Sequence, residues 1–363
     1  MRLLEQHNCA DYLRETKLIG STEEVSVQFL AGGVSNVVLL VKRGPEFDDF
    51  VLKQARGQLR VEQPWFCSVE RIWREVETLR ICRNTLHDWT NASAQDRSDS
   101  ASQLNVVVPE VLFEDRDNYV FTMTAAPPGH ATWKEQLLAG QFDEQIAYAC
   151  GELLGRLHAG TWNDQTIAKQ MGDRQYFIDL RVDPYYRSVA TVHADLAPAM
   201  NELILSLDEN RCCLVHGDFS PKNLLVWKQP SPTVMLIDCE VGHYGDPAFD
   251  LGFMLSHLTL KAVFWRSKLP GLPKESLGLI WTFCSAYADA VRGTLSPQEL
   301  HLLQRRLTRN LAACLLARVD GKSPVEYLER PQQELVRQVS RGLFSQTFEG
   351  LQQVIDWISD ELE

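Results

Sequence analysis

The chain has 363 residues, of which 45% are hydrophobic and 23% charged, with 36 Lys and Arg against 48 Asp and Glu for a formal net charge of −12. That composition is ordinary for a soluble globular protein, and at roughly 100–200 residues per domain it predicts two domains or one large two-lobed fold, not a disordered or fibrous chain. With no dense Lys/Arg tract, a nucleic-acid partner has no electrostatic footprint.

The first residues, Met1-Arg-Leu-Leu-Glu5, lack the apolar stretch of a signal peptide, and no run of about 18 apolar residues follows. A cytoplasmic protein without a membrane partner is expected. From Val25 the pattern is strand (to Leu30), a Gly32-Gly33 turn, strand (Val37–Val41), the turn at Gly44-Pro45, then a third strand, Phe50–Lys53. Val69, Ile72, Trp73, Val76 and Leu79 recur at helical spacing between Ser68 and Arg83, predicting an amphipathic helix behind these strands. Asn91–Gln103 is polar and low in complexity, which predicts a mobile surface loop.

Val106–Val108, Val111–Phe113 and Tyr119–Met123 are expected to complete a small sheet of about five strands, and Pro127-Pro128-Gly129 marks the lobe boundary. Beyond it the character is mainly helical, beginning with Gln145–Gly160. The exception is a β-hairpin between Asn223 and Asp238, built from Leu224–Val226 and Val234–Ile237. The nine cysteines form no C-x-x-C pair, so neither a zinc knuckle nor a disulfide framework is expected, and Cys212-Cys213 opens an apolar run that favours burial over redox chemistry.

The densest chemical signal runs from His216 to Asp250: His216-Gly217-Asp218, Asn223, then Ile237-Asp238-Cys239-Glu240, Gly245-Asp246-Pro247 and Asp250. Acids flanked by runs this apolar need a cation, since an unpaired buried carboxylate costs several kcal/mol. Asn223 and Asp238 offer hard oxygen ligands at the two ends of one hairpin, as a Mg2+ site requires. Asp218 lies near the same metal and is free to act as a base. Its Asp-x4-Asn spacing resembles the protein-kinase catalytic loop, a site that also needs a phosphate-contacting lysine on an early strand and a helix glutamate to fix it. Lys53 ends an apolar strand, an awkward place for a surface lysine. Both Glu75 and Glu77 lie near the edge of the helix's apolar stripe; helical geometry barely separates them, and Glu75 is preferred. Gly32, Gly33 and Ser35 sit in the turn that would cover phosphates with backbone N–H groups, although a Gly-Gly turn also closes any ordinary hairpin. Asp320-Gly-Lys-Ser323 ends like a Walker A loop, but Leu316 replaces its first glycine and a helical pattern precedes it.

The pattern His-Gly-Asp-x4-Asn, Ile-Asp-x-Glu and Gly-Asp-Pro-x-x-Asp-Leu resembles the aminoglycoside phosphotransferase and choline kinase superfamily, across residues 25 to 260. The resemblance implies a two-lobed protein-kinase-like α+β fold, with a small antiparallel-sheet N-lobe (1–125) and a larger, mainly helical C-lobe (126–363). It implies ATP and Mg2+ as cofactors, Asp218 as catalytic base, Asn223 and Asp238 as Mg2+ ligands and Lys53 on the ATP phosphates with Glu75 as partner. Glu240 becomes a second-metal residue, Asp250 a brace for the catalytic loop, and Met123–Ala126 the connector whose backbone holds adenine. The expected activity is transfer of the γ-phosphate to a hydroxyl of an aminoglycoside-, amino-alcohol- or sugar-like acceptor. Lys53-Gln54, Trp65, the Arg71-to-Glu75 spacing, Asp183-Pro-Tyr185 and Asp238-x-Glu240 are also similar to methylthioribose kinases, giving a sugar kinase as an alternative. Two others are a catalytically silent nucleotide-binding module and a metal-dependent phosphohydrolase using His216, Asp218, Asp238 and His243. Gly217, Cys239-Glu240 and the missing Ala-Pro-Glu depart from protein kinases, so a protein substrate is not expected.

Overall fold

A computed structural model gives the fold and describes residues 1–30, 36–57, 67–91, 104–229, 231–269 and 272–362. The Gly32-Gly33 turn, Ser35, Trp65 and the 92–103 part of the polar segment lie outside the described residues. The first strands are β1 (Ser26–Phe29), β2 (Asn36–Lys42), β3 (Phe50–Ala55), β4 (Asn105–Val107), β5 (Val111–Asp115) and β6 (Val120–Thr124). Five of them form an antiparallel sheet in the order β1-β2-β3-β6-β5. The remaining strand corrects the sequence reading: β4, expected in this sheet, instead leaves it.

Further along come β7 (Ala131–Thr132), β8 (Cys213–Val215), β9 (Leu224–Trp227), β10 (Thr233–Leu236) and β11 (His243–Gly245). The predicted hairpin is β9-β10, with Leu224 opposite Leu236. β4 pairs in parallel with β10, Val106 opposite Val234, in a second sheet ordered β4-β10-β9-β7. A short apolar run announces a strand but not its partner, because the apolar residues of β4 bury equally well against either sheet.

Alternation along β3 sets up the site. Phe50 and Leu52 face the cluster of Val37, Leu39, Val41 and Val120 beneath the Gln6–Glu15 helix, whereas Val51 and Ala55 face the cluster holding Ile72, Val76 and Leu79. Lys53 has the parity of Val51 and Ala55 and therefore points toward the Arg71–Asn91 helix. That helix continues past Arg83, where the sequence reading ended it, because Leu86 extends the buried stripe and no glycine or proline intervenes.

The rest of the molecule is mainly helical, around the Ala248–Arg266 helix, which is buried from Ala248 to Phe264. The Glu144–Gly160 helix lies hard against the Leu272–Ala290 helix through Gly151 and Gly155. A Cβ on Gly151 would stand 2.1 Å from the Phe283 carbonyl oxygen, and one on Gly155 would stand 2.6 Å from Ala290 Cβ. All nine cysteines are free, and Cys213 is buried in β8. No described helix is long and apolar enough to cross a membrane.

The obstruction at Gly151 is backbone and cannot rotate away. Gly151→Ala is expected to lower stability by about 1–3 kcal/mol, the range for overpacking a close contact, read as a fall in the chemical-denaturation midpoint.

Candidate active site

Four segments converge on a cluster of charges: β3 with Lys53, the Arg71–Asn91 helix with Glu75, the loop from His216 to Asn223, and the turn after β10 with Asp238. Lys53 Nζ lies 2.5 Å from Glu75 Oε1 and 3.2 Å from Asp238 Oδ1. Glu75 is fully buried whereas Glu77 is half-buried, so the pairing that helical geometry left open falls to Glu75. Burial opposes the charge on Lys53, but Glu75 and Asp238 outweigh it and hold the ammonium above the usual lysine value. Burial also pushes the Glu75 carboxyl up to about 7 against the pull of Lys53.

The loop itself is held by Asp250. Its Oδ2 accepts the His216 N–H at 2.7 Å and its Oδ1 accepts the Gly217 N–H at 2.8 Å, while His158 Nε2 approaches to 3.4 Å. Gly217 has φ +76°, and a Cβ there would meet the Val241 carbonyl oxygen at 2.7 Å, so the turn admits only glycine without strain. Asp218 N–H then donates to His216 Nδ1 at 3.1 Å, which fixes the imidazole as the Nε2–H tautomer facing the Ile237 carbonyl at 3.2 Å.

Asp218 is 3% exposed, yet three groups share its carboxylate: Arg181 at 2.7 Å, Lys222 at 2.8 Å and Asn223 Nδ2 at 2.8 Å. Burial by itself would raise its pKa; Arg181 and Lys222 reverse that and keep Asp218 ionised. Arg181 and Lys222 were not singled out in the sequence. Lys222 had a signal, being four residues after Asp218 and beside Asn223. Arg181 had none: it comes from a ten-residue π-helix, Ile178–Arg187, containing Pro184, and also donates to the Gly217 carbonyl at 2.8 Å.

Asn223 and Asp238 are brought together by the Ile237 N–H, which donates to the Asn223 carbonyl at 3.0 Å. The Asn223 amide nitrogen donates to both the Asp218 carbonyl oxygen and Asp218 Oδ2, and among the described residues its Oδ1 accepts no hydrogen bond. Asp238 sits at φ 68°, a conformation costing a non-glycine residue energy and concentrated at functional sites. Its side chain is 22% exposed against 5% for Lys53. These are hard oxygen donors with room beside them, a set suited to a small divalent cation that keeps oxygen ligands from water or phosphate. Among the described residues no three His, Cys, Asp or Glu side chains converge to hold a metal ion unaided.

Glu240 meets the cluster differently. Its Oε2 is bound by Arg71 Nε at 3.1 Å and Asn36 Nδ2 at 3.2 Å, and Arg71 also donates to Asn36 Oδ1, the Ser68 carbonyl and the Arg56 carbonyl. Arg71 and Glu75 are four residues apart on one helix and both fully buried, so their spacing reflects two separate ion pairs. Gln54 turns away from the site and ties Leu4 N–H, the Arg2 carbonyl and the Asn118 carbonyl. His243 also stands apart, stacked on Phe177 at 4.1 Å with Nδ1 at the Val241 carbonyl, and burial pushes it down to about 4.

A family model described as phosphotransferase enzyme family matches residues 26–278. No curated protein matches the sequence. Among solved structures, a choline kinase from Cryptosporidium parvum Iowa II superposes with TM-score 0.56 at 13% identity, covering 99% of this chain and 100% of that one. A Plasmodium vivax ethanolamine kinase gives TM-score 0.51 at 12% identity, covering 97% and 86%. An amicoumacin kinase in complex with AMP-PNP, Ca2+ and Ami gives TM-score 0.52 at 15% identity, covering 95% and 97%. At these identities the likeness establishes a shared kinase-like fold.

Asp250 offers two oxygens to two N–H groups, so Asp250→Asn would turn an N–H2 against one of them. Stability is expected to fall by about 1–3 kcal/mol, the cost of a buried donor left without its acceptor, measured by urea denaturation.

Proposed function

The chain belongs to the phosphotransferase enzyme family, and from that premise we propose that it transfers the γ-phosphate of ATP, with Mg2+, to a hydroxyl of a small molecule. The observation that carries this reading is the side-chain contact of Lys53 with both Glu75 and Asp238, joined through the Ile237 N–H to the carbonyl of Asn223, whose amide holds Asp218. A lysine on a sheet strand, joined to the far loop by a carboxylate, is what a nucleotide triphosphate lying between them needs. The solved neighbours are named for small acceptors, and one of them holds AMP-PNP with Ca2+, which supports a nucleotide and a divalent ion here.

In this reading residues 1–125 and 126–363 are the two lobes, and the backbone of Met123–Ala126 holds adenine between them. Gly32, Gly33 and Ser35 cover the phosphates, Lys53 orients them and Glu75 fixes Lys53. Asn223 Oδ1 and Asp238 would hold the Mg2+, which would supply positive charge to offset that of the phosphates. Glu240 holds Arg71 and Asn36 in place, its second-metal role being secondary. Asp218 accepts a hydrogen bond from the acceptor hydroxyl and aligns it in line with the phosphorus. Its low basicity is no obstacle, because in a loose phosphoryl-transfer transition state the nucleophile needs positioning more than prior deprotonation. The phosphohydrolase alternative loses support: the ring atoms it requires on His243 and His216 are stacked or bonded to backbone away from the carboxylates.

ATP with Mg2+ is expected to raise the melting temperature, corresponding to about 2.7 kcal/mol at a hundredfold excess over Kd, and to have little effect in EDTA. Equal shifts in both buffers would remove the metal from the reading. Asp238→Asn is expected to weaken Mg-ATP binding and slow turnover. Asp218→Asn is expected to leave Mg-ATP affinity within a few fold while lowering turnover by about 10²–10⁴, the scale for a positioned acid–base group. Titration of Mg-ATP into both variants, beside ADP-release rates, checks the assignment, and the reverse pattern would exchange the two roles.

A further inference from the structure

Beyond Asp218 the helical region carries buried basic side chains that the phosphate chemistry does not use. Phe253, His257 and Lys261 recur every four residues along the Ala248–Arg266 helix and so share one face. Phe253 lies 5.7 Å from the Arg181 guanidinium that holds Asp218, and His257 packs edge-on against Phe253 at 5.0 Å. The face thus begins beside the reacting carboxylate and reaches Lys261 two turns on, about 12 Å along the axis at 1.5 Å per residue.

Lys261 is fully buried, and among the described residues its ammonium has no carboxylate within ion-pair distance: its partner is the Tyr327 hydroxyl at 2.8 Å. Tyr327 cannot supply the missing charge, because burial pushes its phenol above the usual tyrosine value and keeps it neutral. Arg318 enters from the Pro297–Asp320 helix and donates to the Tyr185 hydroxyl at 3.0 Å and to Ser323, and among the described residues it too has no carboxylate partner. Its Nε, and His257 Nε2, are buried with no hydrogen-bond partner among the described residues. The carboxylate on this side, Glu326, is two-thirds exposed and held by Lys134 at 2.5 Å. At the other end Asp218 faces two cations, Arg181 and Lys222.

A buried lysine without a counter-charge costs several kcal/mol or gives up its proton. Burial does depress Lys261 well below the usual lysine value, with Lys134 and Arg318 pushing the same way. In a chain of net charge −12, buried basic groups without carboxylate partners are not a general property of the surface. What satisfies Lys261 and Arg318 Nε together is an anion with several acceptor oxygens.

Taking the kinase reading as its basis, we propose that the acceptor is anionic: a small hydroxylated molecule with a carboxylate or phosphate group that Arg318 and Lys261 hold while its hydroxyl lies at Asp218. The separation along the helix favours an acceptor whose anionic group is several bonds from the reacting hydroxyl. Choline-like and aminoglycoside-like cations are disfavoured, because they would bring positive charge against Lys261, Arg318 and Arg181.

The test is ADP release with Mg-ATP on the full chain, using gluconate and glucose 6-phosphate as anionic acceptors, glucose and ribose as neutral ones, and choline, ethanolamine and kanamycin as cationic ones. The expected result is turnover with an anionic member at a kcat/KM at least tenfold above every neutral or cationic one; the two anionic arms distinguish carboxylate from phosphate. Lys261→Met keeps the side-chain volume and removes the buried charge. It is expected to retain the melting temperature and raise KM for the anionic acceptor tenfold or more, with KM for Mg-ATP within twofold, and Arg318→Gln is expected to act in the same direction. A purely structural Lys261 would show no such split. Equal or better turnover of a neutral or cationic member overturns the anionic acceptor and leaves phosphotransfer standing. If no member turns over, calorimetric titration of gluconate and glucose 6-phosphate decides: binding weakened tenfold in Lys261→Met upholds the anion site, and no binding overturns it. Absence of both Mg-ATP binding and ADP release overturns the kinase reading instead.

Discussion

A lysine ammonium on a sheet strand has no water to solvate it in this fold, and its position therefore dictates where two carboxylates must be. Lys53 is held by Glu75 from the helix behind the sheet and by Asp238 from a loop 185 residues further along the chain. Each partner is costly if left alone in a buried site, so the three groups are stable only as a set. This contact fixes the sheet against the loop, and the geometry of the candidate site depends on it.

The same logic extends outward. Asp250 holds the backbone of the loop that carries Asp218, and Arg71 with Glu240 ties the start of the Arg71–Asn91 helix to the turn after β10. Every one of these ions has an opposite charge or backbone donors around it. The contrast with Lys261 and Arg318 is what makes their surroundings informative: among the described residues both are held by tyrosine hydroxyls and neither by a carboxylate.

Much of the site was legible in the sequence because its residues come in short, rigid spacings. Asp218 and Asn223 lie on one loop and Asn223 and Asp238 flank one hairpin, so local geometry brings each pair close whatever the rest of the chain does, and Lys53 stands out as a lysine within the apolar strand β3. Helical periodicity alone did not choose between Glu75 and Glu77, since both lie near the stripe edge; the side of β3 that Lys53 occupies chose Glu75. Arg181 stayed hidden because the π-helix around Pro184, not a repeating pattern, aims it at Asp218.

The sequence by itself therefore determined the strand-rich first part, the helical remainder, the embedded hairpin and the order of the acids along it, since these follow from periodicity and turn chemistry within a few residues. Tertiary structure alone decided that β4 crosses to pair with β10, that Glu240 belongs to Arg71 and Asn36, and that His257, Lys261 and Arg318 gather beyond Asp218. The physical reason is that partner choice between distant segments is set by which buried surfaces and charges fit together once packed. A residue's own neighbours along the chain carry no record of that fit.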